Sequence, residues 1–86
     1  MKHRKDRRFQ QAYDALPATV RSQADKSFSL LKQNPSHPSL HFKKVGPYWS
    51  ARATLGYRAL AVETHGDLVW FWIGSHAEYD RLIRRS

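Results

Sequence analysis

Asp67-Leu-Val-Trp-Phe-Trp-Ile-Gly-Ser-His-Ala-Glu-Tyr-Asp80 is the stretch on which the fold turns. Its first half, Leu68 to Ile73, is an unbroken run of aromatic and aliphatic residues. That is the composition of a strand buried on both faces. The run breaks at Gly74. Ser75 then stands three residues before Glu78, the spacing of a capping box, and predicts a helix with Ser75 as its N-cap. A central strand therefore hands over directly to a helix, with His76 in the first turn.

Upstream, the pattern reads as more strands: Leu40 to Val45, a Gly46-Pro47 turn, Tyr48 to Thr54, a turn around Leu55-Gly56, Tyr57 to Glu63, and a turn from Thr64 to Asp67. Further upstream, Phe9, Ala12, Tyr13 and Leu16 recur at helical spacing. Pro17 opens a second helix running to about Gln33, with Val20, Ala24, Phe28 and Leu31 as its apolar stripe. Asn34-Pro35 stops it. The expectation is an α+β domain spanning residues 1–86. An N-terminal helical hairpin packs on one face of a four-stranded antiparallel sheet, and a short C-terminal helix closes the chain.

The chain has 86 residues and a formal net charge of +8, which favours a polyanion or an acidic protein as partner. It has no cysteine, which rules out disulfides and thiolate metal sites. No apolar run approaches the ~20 residues of a membrane span, and the basic start Met-Lys-His-Arg-Lys lacks the apolar core of a signal peptide. A soluble cytoplasmic protein is expected, with the charged residues from Lys2 to Arg8 as a basic arm or a solvated start.

Register decides which side chains meet. A two-residue loop at Gly46-Pro47 sets Val45 against Tyr48 and His41 against Arg52. A three-residue loop ending at Gly56 sets Ala53 against Tyr57 and Arg52 against Arg58. A four-residue turn before Leu68 sets Ala61 against Trp70, Ala59 against Trp72, and Arg58 against Ile73. One face then collects alanines and indoles under the helices. The other collects His41, Lys43, Arg52 and Arg58 beside Leu60, Val62, Val69, Phe71 and Ile73, with His76 at the same edge. A two-residue second turn places Arg52 and Arg58 on opposite faces instead.

Two arginines side by side repel, and a phosphate between them removes that cost. A neutral imidazole at a helix N-terminus is a proton acceptor near pH 7. His76, Arg58 and Arg52 are therefore the candidate catalytic residues of a metal-independent RNA-cleaving site. Lys43, Lys44, His41 and Tyr79 are the candidate RNA contacts. Each has a bland counterpart: His76 caps its own helix, Arg58 pairs with Asp80 or Glu78, or Tyr79 docks the last helix. The remaining histidines show no metal-ligand spacing, and no Gly-rich phosphate loop is present, so neither metal nor cofactor is expected.

Leu16-Pro17, Leu31-Lys32-Gln-Asn34-Pro35, Phe42-Lys43-Lys44-Val45, Trp49-Ser-Ala-Arg52, Gly56-Tyr57-Arg58-Ala-Leu60 and Trp72-Ile-Gly74-Ser-His76 resemble the RelE/ParE superfamily of bacterial type II toxins. The resemblance implies a compact RelE-like α+β fold and a small antitoxin, acidic or amphipathic, as protein partner. It implies one of two activities: ribosome-dependent mRNA cleavage, as in RelE- and YafQ-like members, or poisoning of DNA gyrase, as in ParE-like members. On the first, Arg52 and Arg58 match the arginines that stabilise the scissile phosphate, His76 matches the late acid–base histidine of the YafQ-like branch, and Lys43 and Lys44 match the basic strand. The family's first strand precedes its first helix. Here only charged residues up to Arg8 are available for it, and Tyr79 is offset from the usual C-terminal tyrosine.

Overall fold

A computed structural model describes residues 2–84. The elements are β1 (His3–Lys5), α1 (Arg7–Asp14), α2 (Ala18–Gln33), a 3-10 turn (Pro38–Leu40), β2 (Lys43–Val45), β3 (Tyr48–Thr54), β4 (Tyr57–Thr64), β5 (Asp67–Ser75) and α3 (His76–Arg84). The sheet has five strands, not four, in the order β1-β5-β4-β3-β2. It is mixed, because β1 runs parallel to β5 while the other pairs are antiparallel.

The added strand lies in the charged arm. His3 and Lys5 face the helices despite their polarity. The His3 ring sits among Phe28, Phe42 and Trp70, and its Nδ1 accepts a hydrogen bond from Trp70 Nε1 at 3.0 Å. Lys5 lays its ammonium over the Phe28 ring, 4.2 Å from the centroid, where the ring's negative face attracts it. Asp6 ends the strand and caps α1, its carboxylate accepting from Phe9 N at 3.0 Å. Burial pushes the Asp6 pKa up, but the Phe9 amide and Arg8 outweigh it and hold the carboxyl below its ordinary range.

The helices divide between the two faces. α1 lies against β5 and α2 against β3, so the expected hairpin is two helices laid side by side on the sheet. Phe9, Leu16, Ala24 and Leu31 meet Ala51, Ala59, Ala61, Leu68, Trp70 and Ile73 in the main core. α3 packs on the opposite face, against β4 and β5. Leu60 and Tyr79 are buried there, and Ser50 Oγ donates to Tyr79 Oη at 2.9 Å. The Ser75–Glu78 capping box forms as expected: Glu78 N donates to Ser75 Oγ at 3.2 Å, and Ser75 N donates to Glu78 Oε1 at 3.5 Å.

Two irregularities correct the expected register. The turn after β3 is shorter than expected, since Thr54 pairs with Tyr57. Taken alone, that turn separates the two arginines. A bulge between Arg52 and Thr54 restores the Arg52–Arg58 and Ala51–Ala59 pairs. The carbonyl of the bulged residue Ala53 is taken from the α2 side by Ser27 Oγ, which donates to it at 2.6 Å. The second irregularity is in β5. Ala61 pairs with Trp70 as expected, but Leu60 then pairs with Trp72, so Phe71 is the extra residue. Ile73, not Trp72, therefore faces Ala59 in the main core, and Gly74, not Ile73, faces Arg58. Trp72 moves to the α3 face, where a Cβ at Gly74 would run into its indole.

The stretch from Leu40 to Val45 is also shorter as a strand than expected. Pro38 starts the 3-10 turn, Leu40 is pulled into the core at 1% exposure, and His41 closes the turn with φ of 46°. His41 is therefore outside the ladder and does not oppose Arg52.

Candidate nucleic-acid interface

The β3–β4 turn is the point to which the site residues converge. Arg58 pairs across the strands with Arg52, and both extend on the face that carries Ser50 and Tyr79, away from α1 and α2. Arg58 turns its guanidinium onto the turn itself. Its Nη1 donates to Thr54 O at 3.2 Å and to Tyr57 O at 3.1 Å, with Leu55 O at 3.5 Å. Three carbonyl dipoles aimed at one cation hold the turn closed. Burial and the neighbouring charge of Arg52 lower the Arg58 pKa from its ordinary value, while Tyr79 and Asp80 act in the opposite sense. Asp80 thus acts on Arg58 through its charge, whereas its ion-pair contact is with His76.

Arg52 is half-buried and, among the described residues, its side chain has no hydrogen-bond or ion-pair partner. It is the guanidinium of the pair whose donors are available to an incoming anion.

His76 reaches the same turn from α3. Its backbone N–H donates to Gly56 O at 2.9 Å, which fastens the first turn of α3 to the hairpin tip. Its ring is exposed, and Nδ1 lies 3.3 Å from Asp80 Oδ2. The Tyr79 ring lies 5.8 Å away.

The four expected RNA contacts separate. Lys43 pairs with Ser50 and so shares the face of Arg52. Lys44 pairs with Trp49 and extends on the helix face. His41 is exposed at the end of the 3-10 turn. Tyr79 is 6% exposed, and its hydroxyl is bonded to Ser50. The expected base-stacking ring is thus part of the packing of α3, because the amphipathic helix turns its aromatic residue to the sheet.

Asp80 is the residue of this constellation that sequence reasoning assigned elsewhere. The signal was present in its spacing, since positions i and i+4 share one helix face. Among the described residues no group of three or more His, Asp or Glu gathers in metal-binding proximity. No helix among them is long and apolar enough to cross a membrane.

Beside the site, the part of this sheet face that α3 leaves uncovered carries Tyr48, Val62, Val69 and Phe71, all half-buried. The Tyr48 ring tilts against Phe71 at 5.4 Å, and the Arg8 guanidinium lies over Phe71 at 5.1 Å.

Solved structures share this architecture. The RelB–RelE antitoxin–toxin complex from Methanococcus jannaschii matches with a TM-score of 0.69 at 14% identity, over 91% of this chain and 96% of that one. The RelBE2 toxin–antitoxin complex from Mycobacterium tuberculosis matches at 0.64 and 19%, over 88% and 91%. YafQ from E. coli matches at 0.64 and 16%, over 91% and 96%. No family model and no curated protein sequence matches the chain. The chain shares the fold of these RelE and YafQ structures, which is the RelE-like α+β fold that the sequence motifs led us to expect.

Proposed function

We propose that this chain is the toxin of a type II toxin–antitoxin pair and that it cleaves mRNA on the ribosome. The observation that carries the reading is the convergence of Arg52, Arg58 and His76 on the β3–β4 turn, on the sheet face away from α1 and α2. Such a reaction needs a proton acceptor beside the ribose and cations where charge develops on the phosphate. His76 takes the proton of the 2′-hydroxyl as O2′ bonds to phosphorus. The bond from phosphorus to O5′ breaks, and O5′ takes a proton from water. Arg52 binds a phosphate oxygen directly. Arg58 supports it through charge and by holding the turn, and Lys43 tracks the neighbouring backbone. No step calls on a cofactor or a metal.

The protein partner is an antitoxin with an acidic or amphipathic segment. The net charge of +8 and the half-buried patch around Phe71 both suit such a segment. Two of the similar structures, from Methanococcus jannaschii and Mycobacterium tuberculosis, are toxin–antitoxin complexes.

Gyrase poisoning is the second reading, and one observation favours it: Arg58 already engages the turn carbonyls. Expression of the chain in translating cells, with mapping of mRNA 5′ ends, separates the two. New ends within translated codons support the nuclease. DNA breaks without new mRNA ends select the gyrase reading.

A further inference from the structure

His76 and Asp80 lie one turn apart on α3, with Nδ1 and Oδ2 3.3 Å apart. Their side chains are 51% and 40% exposed, so as an ion pair on a helix surface they add little stability. The geometry has a second consequence. A neutral imidazole carries one proton on two nitrogens, and the nitrogen that faces an acceptor keeps it. A carboxylate only accepts. We infer that Asp80 is the positioning residue of His76, keeping the ring proton on Nδ1 so that Nε2 is the atom presented to the 2′-hydroxyl. This inference rests on the ribonuclease reading for the substrate, and on the His76–Asp80 geometry for the tautomer.

Three observations single out Asp80. Glu78, the other carboxylate on α3, is engaged at the helix start, where Ser75 Oγ donates to it at 3.0 Å. Among the described residues Asp80 is the one carboxylate in ion-pair range of His76. The helix itself is fixed, by the His76 N–H to Gly56 O and by the buried Tyr79, so the dyad is carried on a rigid element. Asp80 also favours the charged form of Arg58. One carboxylate therefore acts on both the base and a cation of the site. When Nε2 takes the proton from O2′, the ring becomes a cation, and Asp80 offsets that charge as O2′–P forms and P–O5′ breaks.

The test uses the full chain, with and without Asp80→Ala and Asp80→Glu. Long-range 15N–1H spectra of the His76 imidazole, recorded where the ring is neutral, report the tautomer. The wild type is expected to hold Nδ1–H, Asp80→Ala to lose that preference, and Asp80→Glu to regain it. In single-turnover cleavage on programmed ribosomes, Asp80→Ala is expected to be about tenfold slower with ribosome affinity unchanged, the scale of a lost orienting partner. Asp80→Glu recovers the rate, and Asp80→Ala costs nothing further in a His76→Gln background. Nε2–H in the wild type, or wild-type cleavage rates in Asp80→Ala, overturns the inference. A wild type that holds Nδ1–H through Asp80 but cleaves no mRNA upholds the dyad and discards the nuclease reading.

Discussion

On one face of the sheet Ala61, Leu68 and Trp70 lie under α1 and α2 with at most 1% of their surface exposed. On the other, a single helix docks through Tyr79 onto Ser50, with Leu60 buried on the same face, and the arginine pair and His76 stay at its margin. The first face is closed by interdigitation, with Ala61 and Ala59 on β4 opposite Trp70 and Ile73 on β5. The second is held by a few directed bonds: a capping box, a hydroxyl pair, one backbone bond to the turn. Stability rests on one side of these five strands, and the proposed chemistry on the other. A change on one side should leave the other's property largely intact.

Trp70→Ala is the largest test of that division. Truncating a fully buried indole should cost about 3–5 kcal/mol, read as a loss of denaturation midpoint in urea, with activity falling only because the folded fraction falls. A variant that unfolds no more easily than the wild type would break the comparison. On the other face, His76→Gln should slow single-turnover cleavage on the order of 10²-fold while stability stays within about 0.5 kcal/mol. Full activity in His76→Gln removes its catalytic role. Ser75→Ala deletes the cap of α3 and should cost about 1 kcal/mol, measured by thermal unfolding. Its sharper readout is faster hydrogen exchange at Tyr79 and its neighbours with the main core unchanged.

The smallest effect is a pH dependence on the α1/α2 face. Burial first, then the amino terminus and Lys32, lower the His3 pKa from its ordinary 6.5. The unfolded chain therefore takes up the proton at higher pH than the folded one does. The His3 contribution is complete above about pH 6.5 and is lost as pH falls through the lower folded value. Protonation of Nδ1 also removes the acceptor for Trp70 Nε1. Unfolding midpoints measured between pH 5 and 8 should fall towards acid more steeply in the wild type than in His3→Gln. Equal slopes would remove His3 from the account.

The strongly patterned parts of this fold were legible in the sequence. The Ser75–Glu78 spacing located the start of α3, and the stripes from Phe9 and Val20 located α1 and α2. β1 was not, because its inward residues are a half-buried histidine and an exposed lysine laid over the Phe28 ring, and their composition reads as solvated. The bulges at Ala53 and Phe71 were hidden for a different reason. A bulge is selected by contacts across the fold, and nothing local in Arg52-Ala-Thr54 announces one. The side assignments of Trp72 and Ile73 failed with it. The arginine pairing was expected on a longer turn and is reached through a shorter turn plus a bulge. Tyr79 was ambiguous from sequence, since one aromatic at helical spacing serves either for packing or for stacking. Burial decides for packing.

The bond from Ser27 to the Ala53 carbonyl is a counting device. Along a strand, side chains alternate as odd and even, and one inserted residue exchanges the two classes. Ser27 sits on α2, behind the arginine edge, yet by donating to the carbonyl of the extra residue it helps to hold the bulge on which the parity of Arg52 depends. The polarity of the arginine edge is therefore written partly by a hydroxyl behind it. A chain lacking that hydroxyl would retain every functional group of the edge and lose one of the bonds that keep them pointing the same way.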